Sequence, residues 1–63
     1  MPLAQIHILE GRTDEQKSAV IEKVSAALVE ALGVPLEAVR VVIAEVPKNH
    51  WGIGGKSVKA LGR

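Results

Sequence analysis

Residues 39–46 read VRVVIAEV, and this stretch decides the fold. Its β-branched residues make it a strand. Val and Ile stand at both odd and even positions, so both faces of that strand are apolar, as in a sheet covered on both sides. Upstream, residues 2–9, PLAQIHIL, form a second strand. Leu3, Gln5, His7 and Leu9 lie on one of its faces and Pro2, Ala4, Ile6 and Ile8 on the other. Pro is tolerated at a strand's first position, where no ladder donor is required, and Gly11 ends the run. Between the two strands the spacing predicts a helix over 14–32. Thr13 and Gln16 fit a capping box, Asp14 and Glu15 occupy the first turn, and Gly33 and Pro35 mark the end. Val20, Ile21, Val24, Ala27, Leu28, Ala31 and Leu32 make its apolar stripe, with Ser18, Glu22, Lys23, Ser25 and Glu30 largely on the wet side. Strand, helix and strand make a β-α-β unit, so the strands are expected to be parallel with a right-handed crossover. Residues 47–57, PKNHWGIGGKS, are turn-rich and predict a short hairpin, and SVKALGR at 57–63 reads as a weakly structured tail. The fold class is α+β, with one domain spanning 1–63.

One helix covers only one face of a two-stranded sheet. The other face needs a partner, and by elimination that partner is a second copy of the chain. Size argues the same way. A chain of 63 residues is marginal alone and usually needs disulfides, a metal or oligomerisation. Cys is absent, and two histidines, His7 and His50, are too few for a structural metal site. Apolar residues make up 48% of the chain, with Trp51 the only aromatic. A formal net charge of +1 makes no case for nucleic acid or an acidic membrane as partner. No apolar run reaches the ~18 residues of a membrane span. The opening residues lack the basic start and long apolar stretch of a signal peptide, so the expected compartment is the cytoplasm.

Four residues are candidates for chemistry. Methionine aminopeptidases generally remove Met before Pro, which would leave Pro2 as a secondary amine at the chain start. An α-amino group titrates at roughly 7.7–8.0, and nearby positive charge or an apolar wall lowers that further. Such a group is a base poised near neutral pH. With Met1 in place, Pro2 is a tertiary amide without a basic nitrogen, and read by itself it is merely the residue before a strand. Arg12 sits just before a helix N-terminus, where a cation is mildly unfavourable; it either holds an anion or is a solvated turn residue. Arg40 lies in a run otherwise fit for burial, so its guanidinium must face a cavity or pair with an acid, Glu37 or Glu45. Trp51 either walls a pocket or packs at a subunit contact. His7 reads as a structural histidine. GGKS at 54–57 lacks the earlier glycine, the strand before and the helix after that a phosphate-binding loop needs. No Ser-His-Asp set, paired acid site or metal cluster stands out.

Met1-Pro2, AQIHILEGR at 4–12, DEQK at 14–17, VRV at 39–41 and WGIGG at 51–55, in that order and at this length, resemble the 4-oxalocrotonate tautomerase family of the tautomerase superfamily. The resemblance covers essentially the whole chain. It implies a hexamer built as a trimer of dimers, each pair forming a four-stranded sheet backed by two helices. It also implies a cofactor-free keto-enol tautomerase that converts 2-hydroxymuconate to 2-oxo-3-hexenedioate in aromatic-compound catabolism. In that scheme Pro2 is the catalytic amine and Arg12 binds the distal carboxylate of a dicarboxylate substrate. Arg40 of a different subunit holds the proximal carboxylate and the 2-oxygen, the Leu9 amide helps order the site, and Trp51 replaces the family's usual Phe as apolar wall. The trans-3-chloroacrylate dehalogenases are similar but use a Glu near GIGG and an extra arginine on the first strand. Ile53 and Leu9 stand in those regions here, which argues against hydration chemistry. A monocarboxylate enol such as phenylenolpyruvate is an alternative substrate, and a non-catalytic assembly module is the alternative of another class.

Overall fold

The computed structural model describes every residue from Met1 to Arg63. Strand β1 (Leu3–Leu9) leads into helix α1 (Asp14–Leu32), and strand β2 (Arg40–Val46) returns beside β1. The strands are parallel, in register from Leu3 opposite Arg40 to Leu9 opposite Val46, and α1 is the crossover that a parallel pair requires. Pro2 lies just outside β1 yet serves the ladder as an acceptor: the Arg40 N–H donates to its carbonyl at 3.0 Å. Lacking an N–H, proline loses nothing in that position.

Both ends of α1 follow from the sequence. The Gln16 N–H donates to the Thr13 hydroxyl at 3.1 Å, and the Thr13 N–H donates to Gln16 Oε1 at 3.0 Å. At the other end Gly33 takes φ 67° and its N–H donates to the Val29 carbonyl at 2.9 Å. A left-handed residue closing a helix favours glycine. The covered face of α1 is narrower than the predicted stripe. Lys17, Val20, Val24, Ser25, Leu28 and Val29 are half-buried, whereas Ile21, Ala27, Ala31 and Leu32 are exposed. Two strands ~4.8 Å apart are too narrow a floor for a broad apolar stripe, so one flank of the helix stays bare.

Beyond β2, a short hairpin joins β3 (Gly52–Ile53) to β4 (Lys56–Ser57). Its two turn residues, Gly54 and Gly55, have φ of 60° and 89°, the conformation of a mirror-image hairpin turn. The segment after it is ordered, contrary to the expectation of a weak tail. The Val58 N–H donates to the Trp51 carbonyl at 2.7 Å, the Lys59 N–H to the Lys48 carbonyl at 3.2 Å and the Arg63 N–H to the Val58 carbonyl at 3.1 Å. Val58, 2% exposed, is the one fully buried residue of the chain. Backbone bonds back to the 3-10 turn at Lys48–His50 hold this segment, and such pairings leave no periodic trace in sequence.

The chain is a thin plate of 43 × 24 × 13 Å. It exposes 4755 Å², against about 3,900 Å² for a compact monomer of this mass. Alternation puts Ala4, Ile6, Ile8, Val41, Ile43 and Glu45 toward α1. The opposite face of the sheet has no such cover from its own chain: Leu3 is 58% and Val42 49% exposed.

Candidate active site

The site is best followed along β1, from start to finish. At its start, the ladder bond from Arg40 to Pro2 places these two residues of one chain at adjacent strand positions, whereas the resemblance expects Pro2 to work with Arg40 of a different subunit. The Arg40 side chain is exposed at the first position of β2, so it avoids the burial that its sequence neighbours suggested. Nor does it form an ion pair with Glu37 or Glu45. Its Nη1 donates to the Glu37 carbonyl at 2.7 Å and to the Val39 carbonyl at 3.2 Å. These bonds brace the guanidinium against the 3-10 turn Leu36–Ala38 and leave Nε and Nη2 without protein partners.

Seven residues of β1, at a rise of ~3.3 Å each, separate this end from the other by about 20 Å. There the Glu10 N–H donates to the Val46 carbonyl at 3.1 Å, and Gly11 turns the chain with φ 113°. Arg12 follows. It lines a groove of about 230 Å³ together with Ile8, Gln16, Lys17 and Val20. Arg12 forms no hydrogen bond or ion pair within the chain, whereas the neighbouring Lys17 does: its ammonium lies 2.8 Å from Glu45 Oε1 and 3.4 Å from Asp14 Oδ1. The hydrogen bond to Glu45 holds the Lys17 ammonium above its ordinary pKa. The groove thus presents one unpaired cation, Arg12, beside an amide and the ion-paired Lys17 over an apolar floor, with no acid in its lining, and suits a carboxylate.

Leu9 closes β1 beside this region, opposite Val46, and Trp51 sits half-buried at the entry to the hairpin. Neither lines the groove. Within one chain, then, Pro2 meets Arg40 and Leu9 approaches Arg12, but the two pairs stand a strand's length apart. No arginine side chain spans that distance. Lys17 carries no motif that marks it as a site residue. Its signal was position, since it shares the helix register of Val20 and Val24 and so stands where the covered stripe begins. His7 engages in no side-chain bond, and no group of three metal-ligating side chains forms.

The family model for tautomerase enzymes matches residues 2–61. The chain belongs to the tautomerase family. A 2-hydroxymuconate tautomerase from Pseudomonas putida is 67% identical over 63 residues, the full length of both chains. Among solved structures, one of the 4-oxalocrotonate tautomerase isozymes from Methylibium petroleiphilum superposes with a TM-score of 0.95 at 66% identity, covering 98% of this chain and 100% of that one. A heterohexamer 4-oxalocrotonate tautomerase from Chloroflexus aurantiacus superposes with a TM-score of 0.92 at 48% identity, covering 97% and 98%. The activity is accordingly that of a tautomerase, an isomerase, and the β-α-β unit with its C-terminal hairpin is the tautomerase fold.

Proposed function

We propose that the chain, residues 1–63 acting as one unit, is a cytoplasmic, cofactor-free 2-hydroxymuconate tautomerase of aromatic-compound catabolism. End-to-end similarity to the Pseudomonas putida enzyme carries this reading. Pro2, exposed by loss of Met1, is the base. Its amine takes the 2-hydroxyl proton of 2-hydroxymuconate, charge spreads through the dienol, and the same nitrogen returns the proton to C5 to give 2-oxo-3-hexenedioate. Arg40 of a different subunit stabilises the developing oxyanion and the proximal carboxylate, an electrostatic contribution typically worth a few kcal/mol. Its unpartnered Nε and Nη2 support this role. Arg12, unpaired in its groove, grips the distal carboxylate and fixes the substrate's orientation. The Leu9 amide orders that end of the site, and Trp51 supplies the apolar wall.

These roles need more than one chain. The distance along β1 keeps Pro2 and Arg12 of one copy from meeting on a small dicarboxylate, so one copy brings the amine and another the distal grip. The bare Leu3 and Val42 face of the sheet supports association with further copies of the chain, and the heterohexameric relative from Chloroflexus aurantiacus supports a six-chain assembly of three pairs. The test is ketonisation of 2-hydroxymuconate by protein whose intact mass is one methionine short, compared with a Pro2→Ala variant also freed of Met1. The reading predicts turnover in the first and its near-loss in the second. Equal rates would overturn it.

A further inference from the structure

We propose that Lys17 is a positioning residue: by occupying Glu45, it keeps Arg12 free to bind substrate. The inference rests on the reading that Arg12 grips the distal carboxylate. Arg12 shares its groove with Lys17 and Ile8; Asp14 and Glu15 follow it in the first turn of α1, and Glu45 lies opposite Ile8 in the ladder. Yet Arg12 pairs with none of these acids. Lys17 collects two of these carboxylates, at 2.8 Å from Glu45 and 3.4 Å from Asp14. The Lys17–Glu45 contact is the more sheltered, with side chains 23% and 38% exposed, whereas Asp14 is open to water. A sheltered pair is screened less by salt than a surface one.

Glu45 is the only acid on the helix-facing side of the sheet. Without Lys17 its carboxylate is left uncompensated, and Arg12 is the remaining cation of the same groove. Arginine binds carboxylates through two parallel hydrogen bonds, so a captured Arg12 would have to be released before it could take the substrate's distal group. Lys17 is thus a positioning residue and touches no reacting atom. Its loss should weaken recognition of the second carboxylate while sparing proton transfer at the other end of β1.

The test compares kinetics on 2-hydroxymuconate and on the monocarboxylate phenylenolpyruvate for the parent enzyme, Lys17→Met, Lys17→Met with Glu45→Gln, and Arg12→Ala. Lys17→Met is expected to raise KM for the dicarboxylate about tenfold, with kcat within about twofold and the monocarboxylate little changed. Adding Glu45→Gln should return KM to near the parent value, because nothing is then left to capture Arg12. Lys17→Gln repeats the test if the Met variant fails to assemble. A double variant as impaired as the single one would overturn the proposal, since Lys17 would then bind substrate itself. Equal losses on both substrates, or none, would overturn it too. If Arg12→Ala leaves the dicarboxylate KM unchanged, the underlying role of Arg12 fails, and the inference with it. If Arg12→Ala raises KM and Lys17→Met does not, the inference alone fails.

Discussion

The two ends of β1 are built differently. At its start, Pro2 and Arg40 are fixed by the parallel ladder and by carbonyls that brace the guanidinium. At its finish, a glycine turn and a capped helix leave Arg12 over an open groove. The ladder fixes the backbone at that end, whatever subunit each of the two residues serves. The groove suits grip, where a cation must be positioned and accessible. A strand of seven residues holds the two apart in one chain, so the proposed use of both in one site requires residues from different chains. The thin plate has a single buried residue of its own.

That contrast can be broken at either end. Pro2→Ala, with Met1 removed, is expected to lower kcat by about 10²–10⁴, and retention of Met1 should do the same. Steady-state ketonisation read together with intact mass checks both, and an undiminished rate in either would end the role given to the amine. Arg40→Ala comes next, with a loss of about 10²–10³ in kcat/KM on mono- and dicarboxylates alike, while size-exclusion chromatography shows the assembly unchanged. Dissociation without a direct loss of catalysis would favour the assembly-module reading. Arg12→Ala should act at the other end only, raising KM for the dicarboxylate by about 10–100-fold, as expected for a lost charged hydrogen bond, and sparing phenylenolpyruvate. The smallest effect belongs to Thr13→Ala, which removes the cap beside Arg12. It should destabilise the chain by about 1 kcal/mol in denaturant unfolding while leaving kcat nearly intact.

Much of this arrangement was legible in the sequence. The alternation of residues 2–9, the cap at Thr13 and Gln16 and the glycine at 33 placed both strands and the helix closely, because these signals are local. The apolar residues on both faces of β2 announced that the chain could not close its own core. What escaped was long-range. Val58 and its backbone bonds to the Lys48–His50 region lie where the sequence suggested only a tail. The apolar run around Arg40 suggests a guanidinium that faces a cavity or pairs with an acid, whereas register places it at the exposed start of a strand. Lys17 was passed over because its partner, Glu45, lies 28 positions away, and no helical or strand period connects them.

Subunit complementation tests the central claim most directly. Pro2→Ala and Arg12→Ala chains are unfolded together, mixed equally, reassembled and assayed on 2-hydroxymuconate. If each site takes its amine and its distal grip from different copies, random mixing gives about one site in four both native residues. At substrate well below the parent KM, where the Arg12→Ala chain is about 10–100-fold impaired, activity should then rise well above that of either variant alone, toward about a quarter of the parent rate. Mixed assemblies no more active than the separate variants would place Pro2 and Arg12 of one site on a single chain, contradicting the account.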